Sequence, residues 1–294
     1  MRPDIPERTP LRFWRSLLFV PGHRDRMIAG APGRGADALI YDLEDAVPAA
    51  EKSAARARVC DVLRDAARSE ARLVRINADL PAAVRDLEAV VPFVPDAILV
   101  PKAESADYLK RVDAAVRQLN GERGTAAGGI PLVALIESAD GLAQADGIAA
   151  AACVQALAFG PEDFCAETGM LPCMETLHGP AQAIALAARR HNRAAFGSPA
   201  SLAEFEDLGA FAAAATAARR LGFSGAFAVH PRQVQPLNER FLPAPEELAR
   251  ARAIVGAAEG HSGGAVKAGS LMVDEPLVKQ ARECLARAAH HDGG

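Results

Sequence analysis

Ala97-Ile-Leu-Val-Pro101, the helical segment Ala106–Leu119 and the run Leu132-Val-Ala-Leu-Ile-Glu137 follow one another along the chain. Short apolar runs on either side of a longer segment of helical period are typical of a strand–helix–strand unit rather than of a hairpin. Because neither run alternates apolar with polar residues, both predicted strands should be buried on both faces, as in a parallel sheet. The stretch therefore predicts a parallel α/β fold.

The same pattern recurs along most of the chain and gives eight candidate strands. They are Ser16–Pro21, Ala38–Asp42, Leu73–Asn77, Ala97–Pro101, Leu132–Glu137, Ala156–Gly160, Ala194–Gly197 and Ala226–Val229. The predicted helices between them include Ala49–Arg68, Ala106–Leu119, Pro180–His191 and Glu204–Leu221. Eight strands in alternation with helices are what a closed (β/α)8 TIM barrel requires. We predict such a barrel over residues 1–260.

One segment remains after the eighth predicted strand. Pro245–Ala258 supplies the eighth predicted helix of the barrel, and Gly263-Gly264 then breaks the chain. Ala265–Val273 is predicted to form an extended arm, and Glu275–Ala289 a further helix. A closed barrel has no position for this helix. Residues 261–294 are therefore predicted to form a C-terminal arm and helix outside the barrel.

Composition and charge restrict the classes of function. The chain has 294 residues, of which 50% are apolar, and a formal net charge of −4. Interspersed acidic and basic residues provide no basic face for nucleic acid and no polybasic arm for a membrane. The five cysteines form no Cys-x-x-Cys pair, and the first apolar run, Leu17–Val20, is too short for a secretion signal. The sequence predicts a cytoplasmic protein with neither a nucleic-acid nor a membrane partner.

Polar side chains follow most of the predicted strands at their carboxyl ends. In a (β/α)8 barrel these ends meet at one face, which is where the active sites of such barrels lie. We therefore expect these side chains to converge on one site. They are Asp42, Glu44, Asp45, Arg75, Asn77, Lys102, Glu104, Glu137, Ser138, Glu162, Asp163 and His230.

Eight short motifs occur in an order that resembles one known family. They are Arg15-Ser-Leu-Leu-Phe-Val-Pro-Gly22, Tyr41-Asp-Leu-Glu-Asp-Ala-Val47, Val74-Arg-Ile-Asn77, Val100-Pro-Lys102, Ala134-Leu-Ile-Glu-Ser138, Ala158-Phe-Gly-Pro-Glu-Asp163, Val229-His-Pro-Arg-Gln233 and Met272-Val-Asp274. The ordered set resembles the citrate lyase β-subunit-like family, within the HpcH/HpaI aldolase/citrate lyase superfamily and its malyl-CoA and citramalyl-CoA lyases. The resemblance covers nearly the whole chain and implies a carbon–carbon lyase on a (β/α)8 barrel.

The resemblance places Mg²⁺ on Glu137 and Asp163. Elementary chemistry agrees, because Mg²⁺ prefers oxygen ligands and takes only one or two protein carboxylates. The alternative is that each carboxylate caps the helix that follows it. The resemblance also assigns Arg75 to the substrate's carboxylate and to the oxygen that develops charge, and here the alternative is a salt bridge to Asp42 or Glu44.

The resemblance makes Asp274 the catalytic acid/base. It also implies that the arm and helix of residues 261–294 pack on a neighbouring subunit of a homotrimer and carry Asp274 to the site of that subunit. The alternative is an N-cap of the predicted helix Glu275–Ala289. Substrate binding is assigned by resemblance to Arg75, Glu137, Arg15 and Lys102. A Schiff-base role for Lys102 is disfavoured, because the paired acids would be redundant in an imine mechanism. His230 is expected to be a structural or substrate-adjacent histidine.

The implied reaction is the Mg²⁺-dependent retro-Claisen cleavage of a 3-hydroxy-acyl-CoA thioester, of the citramalyl-CoA or malyl-CoA type, to a 2-oxo acid and acetyl-CoA. Two alternatives stay open: a citrate lyase β subunit that acts on a citryl thioester of an acyl carrier protein, and a degenerate barrel without catalysis. Three positions depart from the family pattern: Gly30, where many members carry a lysine, Phe196-Gly-Ser-Pro199 and Gly269-Ser-Leu271. These departures fall where carrier and substrate contacts are expected.

Overall fold

The structure is a computed structural model that describes residues 10–65, 69–121, 129–203, 205–259, 266–268 and 271–292. Its main sheet has eight parallel strands: β1 Ser16–Pro21, β2 Ala38–Asp42, β3 Ala71–Arg75, β4 Ala97–Val100, β5 Leu132–Ile136, β6 Val154–Phe159, β7 Ala194–Phe196 and β8 Ala226–Ala228. They lie in the order β7-β6-β5-β4-β3-β2-β1-β8. A parallel bridge pairs Phe196 of β7 with Gly225, the residue before β8. The sheet is therefore closed, and the predicted (β/α)8 barrel is confirmed.

Helices connect the strands and continue after the last of them. They are α1 Asp25–Gly30, α2 Lys52–Arg64, α3 Leu80–Val90, α4 Ala106–Gly121, α5 Ala139–Ala143, α6 Ala145–Ala150, α7 Pro161–Thr168, α8 Met174–Arg190, α9 Leu208–Leu221 and α10 Val234–Arg240. Every residue of β2, β4 and β5 is buried. This burial is what the continuous apolar runs predicted, since such strands face the barrel interior on one side and helices on the other. None of the helices within the described residues is long and apolar enough to cross a membrane.

Two of the elements that differ from their predicted ranges do so because side chains replace backbone partners. β3 lies two residues earlier than predicted and ends at Arg75, since the backbone N–H of Asn77 donates to the Asp86 carboxylate at 2.8 Å. α9 starts at Leu208, where the Asp207 carboxylate accepts the N–H of Ala210 and caps the helix. The predicted helix start at Glu204, and residues 66–68 of the first predicted helix, lie outside the described residues.

The chain divides into two compact units, one up to Asn238 and one from Glu239 onward. The second unit holds helices α11 Pro245–Glu259 and α12 Glu275–Asp292, with the strands β9 Val266–Ala268 and β10 Leu271–Val273 between them. Buried side chains from α11, β10 and α12 form its core: Ala251, Ile254, Val273 and Ala281. Two points therefore differ from the prediction. The division lies before residue 260, because α11 shares a core with α12, and the predicted arm contains an antiparallel strand pair.

Candidate active site

A cavity of about 570 Å³ opens at the carboxyl ends of the barrel strands. Its volume lies within the range of small-molecule sites. Residues at or just after the ends of six strands line it, and those that carry the argument are Pro21, Asp42, Arg75, Glu137, Asp163 and His230. Six of the predicted strand-end side chains therefore line one cavity: Asp42, Arg75, Glu137, Glu162, Asp163 and His230.

Glu137 follows β5 and is buried, with 5% of its surface exposed. Its Oε2 accepts the backbone N–H of Lys102 at 3.0 Å. The Gly160 main chain lies against the side chain, because a Cβ on Gly160 would be 2.7 Å from both Cγ and Oε1 of Glu137. Burial raises the pKa of Glu137 to about 7; the Lys102 hydrogen bond opposes this rise, and the Asp163 charge adds to it. Glu137 is thus a fixed carboxylate for which ionisation is costly.

Capping does not explain either of the two carboxylates assigned to Mg²⁺. The helix after Glu137 is capped by Ser138, whose hydroxyl accepts the N–H of Gly141. α7 is capped at Gly160 without a side-chain hydrogen bond, and Asp163 lies inside its first turn. Within the described part of the chain, Asp163 has no recorded hydrogen bond. The two carboxylates therefore line one cavity, and their charges repel each other.

The Arg75 guanidinium is held in a fixed orientation. Nε and Nη2 each donate at 2.7 Å to the two oxygens of Asp42, and the ring of Phe19 lies 5.0 Å from the guanidinium carbon. Asp42 in turn accepts the backbone N–H groups of Glu44 and Ala46. The salt bridge that the sequence offered as an alternative is therefore present. Because Asp42 occupies the bidentate edge, a substrate carboxylate can meet only the remaining N–H groups of Arg75.

Glu44 lies beside Arg75 and is also buried. The distance from Arg75 Nη1 to Glu44 Oε2 is 3.1 Å, which makes an ion pair, although the same oxygen lacks a partner with hydrogen-bond geometry. Burial raises the pKa of Glu44 to about 8, against the opposing charge of Arg75. Burial acts to lower the pKa of Arg75, but the hydrogen bonds and charge of Asp42 raise it overall. Arg75 therefore stays cationic in this site.

The structure gives two of the predicted substrate-binding residues other roles. Arg15 precedes β1, at the opposite end of the strands, and its guanidinium donates to both oxygens of Asp37 at 2.9 and 2.7 Å. Lys102 contributes its backbone N–H to Glu137, while its side chain is exposed. Its φ of 48° lies in the left-handed region, which is unfavourable for residues other than glycine. We therefore assign neither side chain to the site.

Asp274 is exposed and precedes α12 in the second unit. Its Oδ1 accepts the N–H of Leu277 at 3.2 Å, so the N-cap that the sequence offered as an alternative is present. An N-cap and a role in a neighbouring subunit are compatible, because the cap uses only one of the two carboxylate oxygens.

Two features that shape this site were not predicted from the sequence. The glycine at position 160 makes room for Glu137, and its place in Phe-Gly-Pro-Glu-Asp could have suggested a close approach of the backbone. The carboxylate of Glu162 accepts from the Ser201 hydroxyl and the Leu202 N–H at 2.9 and 2.6 Å. This contact fixes the loop after β7 over the cavity, and no local sequence signal predicts it.

The described residues contain no group of three or more His, Cys, Asp and Glu side chains arranged to hold a metal ion. The cavity instead offers the carboxylates of Glu137 and Asp163, together with the fixed guanidinium of Arg75. A (β/α)8 barrel whose largely apolar cavity at the carboxyl face holds a few charged side chains belongs to the class of barrel enzymes.

Comparison with known proteins identifies the family. The chain belongs to the HpcH/HpaI aldolase/citrate lyase family, which it matches over residues 15–231. Citrate lyase subunit beta of Haemophilus influenzae is 32% identical over 286 residues, which cover 95% of this chain and 98% of that protein. The (3S)-malyl-CoA thioesterase of Cereibacter sphaeroides is 33% identical over 282 residues, which cover 94% of each.

A solved structure gives the same result. CitE from Mycobacterium tuberculosis, in complex with magnesium, acetoacetate and coenzyme A, matches with a TM-score of 0.77 and 30% identity. The match covers 95% of this chain and 100% of CitE. The predicted family is confirmed, and so is the prediction that the chain is a lyase enzyme.

Proposed function

We propose that the chain is a cytoplasmic, Mg²⁺-dependent lyase that cleaves a 3-hydroxy-acyl-CoA thioester of the citramalyl-CoA or malyl-CoA type. The products are a 2-oxo acid and acetyl-CoA. The observation that carries the proposal is the pairing of Glu137 with Asp163 in the cavity that also holds Arg75. The magnesium and coenzyme A bound by CitE from M. tuberculosis support both the metal and the carrier.

The carboxylate pair fits Mg²⁺. Glu137 and Asp163 supply hard oxygen ligands, and a divalent cation between them would remove the repulsion that helps to raise the pKa of Glu137. When bound, Mg²⁺ supplies positive charge to the hydroxyl and carboxylate oxygens of the substrate. Arg75 provides a second fixed positive charge in the same cavity.

The chain's own residues account for the remaining steps. A carboxylate of the site takes the proton of the substrate hydroxyl, and the electron pair of the carbon–carbon bond moves to the thioester, which becomes an enolate. Arg75 stabilises the negative charge of the 2-oxo acid. Asp274, donated by a neighbouring subunit of a homotrimer, returns one proton to the enolate carbon. One proton is removed and one is returned, so the reaction balances.

A second candidate is the β subunit of a citrate lyase complex, which would act on a citryl thioester of an acyl carrier protein. The identity to citrate lyase subunit beta of H. influenzae favours it, and the same carboxylates and arginine would serve. The third candidate, a degenerate barrel without catalysis, is disfavoured, because burying Glu137 and Arg75 is costly without a function for them.

The carboxylate pair can be tested directly. Glu137→Gln and Asp163→Asn should each abolish release of the 2-oxo acid and weaken Mg²⁺ binding in calorimetry, while thermal unfolding stays within a few degrees. Glu167→Gln is a control on the same helix as Asp163, and it should leave Mg²⁺ affinity unchanged. Wild-type Mg²⁺ affinity in both carboxylate variants would exclude the pair as the metal site.

A further inference from the structure

His230 lines the same cavity and has an assigned role in neither the metal site nor proton transfer. It follows β8 and caps the short 3-10 helix Pro231–Gln233. Its Nδ1 accepts the backbone N–H of Arg232 at 3.2 Å. The backbone N–H of His230 donates to the side-chain oxygen of Gln233 at 3.0 Å. Both the ring and its main chain are therefore fixed.

The buried side chain of Gln233 holds this segment in place. Its oxygen accepts the N–H of Val229 as well as that of His230, and its amide donates to the carbonyl of Leu202 at 3.2 Å. The segment after β8 is thus joined to the loop after β7. The main chain that carries the His230 imidazole is therefore fixed on one side of the cavity.

The hydrogen bond to Nδ1 determines the tautomer of His230. An acceptor nitrogen carries a lone pair and no hydrogen, so the hydrogen of the neutral imidazole is on Nε2. The ring stacks on Phe205, with 5.1 Å between centroids and 17° between planes. No recorded hydrogen bond involves Nε2 in the part of the chain that the structure describes. The cap and the stack therefore leave one oriented N–H donor available to a ligand.

The proposed cleavage has one developing charge that no residue yet stabilises. Arg75 and the carboxylate pair lie at the ends of β3, β5 and β6 and serve the hydroxyl and carboxylate of the substrate. β8 lies between β1 and β7, away from β3 and β5 in the closed sheet. The electron pair released by the carbon–carbon bond moves to the thioester carbonyl oxygen, which becomes an enolate oxygen. That oxygen needs a hydrogen-bond donor.

We infer that the Nε2–H of His230 donates to the thioester carbonyl oxygen and stabilises the enolate as the carbon–carbon bond breaks. No proton is transferred in this step: the donor keeps its hydrogen, and the α-carbon is protonated separately. A neutral imidazole is suited to the role, because it polarises a carbonyl without giving up its proton. The inference rests on the proposed function, and it makes His230 a catalytic residue that contacts the substrate.

The test separates the cap of His230 from its donor. In His230→Asn the side-chain oxygen can still cap the helix, since asparagine is a favoured N-cap, but no donor reaches the Nε2 position. In His230→Phe the stack on Phe205 is kept, and both the cap and the donor are lost. Two rates are measured: release of the 2-oxo acid from citramalyl-CoA or malyl-CoA, and Mg²⁺-dependent exchange of deuterium from D₂O into the methyl group of acetyl-CoA.

The expected result is that His230→Asn lowers both rates about 100-fold, the usual effect of removing one oxyanion donor, with KM changed only a few-fold. Its Mg²⁺ affinity and thermal unfolding should match those of the wild type, and His230→Phe should be equally slow. Wild-type rates in either variant would overturn the role of His230 while leaving the proposed function intact. A wild-type protein inactive in both assays would instead contradict the proposed function itself.

Discussion

Arg75 shows how one side chain can be both a structural and a catalytic candidate. The sequence offered a salt bridge or a substrate contact, and Asp42 accepts two hydrogen bonds from the guanidinium in the structure. The pairing makes burial of the cation tolerable, since only 11% of the side chain is exposed. Arg75 can therefore act on the substrate as a fixed positive charge, but not as a bidentate donor to its carboxylate.

Substitutions at Lys102 can test whether its backbone N–H or its side-chain amine contributes to the site. If its contribution is the N–H that reaches Glu137, Lys102→Gly should keep turnover within about two-fold, because glycine retains that donor and accepts a positive φ without strain. Thermal stability should stay the same or rise, since a strained left-handed residue costs on the order of 1 kcal/mol.

The matched comparison is Lys102→Ala, which also lacks the amine but keeps the left-handed strain. Both variants should turn over substrate at similar rates in a steady-state assay. A large rise in KM in both variants would show that the Lys102 amine does bind the substrate.

Glu137 predicts a pH dependence of metal binding. Its pKa in the folded chain is about 7, raised from 4.5. If Glu137 is a magnesium ligand, as proposed, a proton must leave before the carboxylate can bind Mg²⁺. The apparent Mg²⁺ affinity should rise up to about tenfold per pH unit below pH 7 and level off above it. Calorimetric titrations from pH 5.5 to 8.5 measure this, and an affinity that is flat over the range contradicts it.

The stability of the metal-free protein should change with pH in the opposite direction to its Mg²⁺ affinity. A carboxyl whose pKa is raised by folding stabilises the chain fully below its unfolded pKa, and this contribution is lost as the pH rises through the folded pKa. For Glu137 and Glu44 the loss should fall between about pH 4.5 and 8. Metal-free protein should therefore unfold at a lower temperature at pH 8.5 than at pH 6, and Mg²⁺ should reduce this difference.

The loop between β2 and α2 carries Glu44 and depends on Lys52. The Lys52 amine donates to the carbonyls of Leu43 and Glu44 at 2.8 and 2.6 Å, and to the Asn77 side chain at 2.6 Å. Lys52→Met would remove this donor from all three acceptors, although the Leu43 and Glu44 carbonyls each keep another donor. It should lower the free energy of unfolding by about 2 kcal/mol, as expected for unsatisfied polar groups.

The control for Lys52 is Lys110→Met, which removes an exposed amine paired with Asp107. Such a pair contributes at most about 1 kcal/mol, and the variant should unfold within about 0.5 kcal/mol of the wild type in urea. Equal stability of the two variants would show that the Lys52 contacts do not hold the loop.

The strands could be located from the sequence because their signal is local. β1 and β2 have the predicted bounds, and most other strands differ by one or two residues. Elements whose ends depend on distant side chains were placed less well, as at Asn77 and Asp86. The same limit applies to the site: strand-end residues were predictable, but the pairings of Arg15 with Asp37 and of Arg75 with Asp42 depend on strand register and side-chain direction.

The assignment of Asp274 to a neighbouring subunit predicts complementation between inactive variants. Asp274→Ala and Arg75→Ala should each be inactive alone. After mixing and reassembly, some sites would draw both intact residues from different chains, so partial turnover should return. Hybrid oligomers with no turnover would contradict the shared site, as would an Asp274→Ala variant that loses stability but keeps its activity.

The most direct test of the proposed function is the identity of the products. Purified protein is incubated with Mg²⁺ and citramalyl-, malyl- or citryl-CoA, and the 2-oxo acid, acetyl-CoA and free coenzyme A are quantified together. We expect equal amounts of 2-oxo acid and acetyl-CoA from at least one thioester, and none when EDTA removes the metal. Release of free coenzyme A without any 2-oxo acid would indicate a thioesterase. If this were the result with one thioester and the others were not cleaved, it would contradict the lyase assignment.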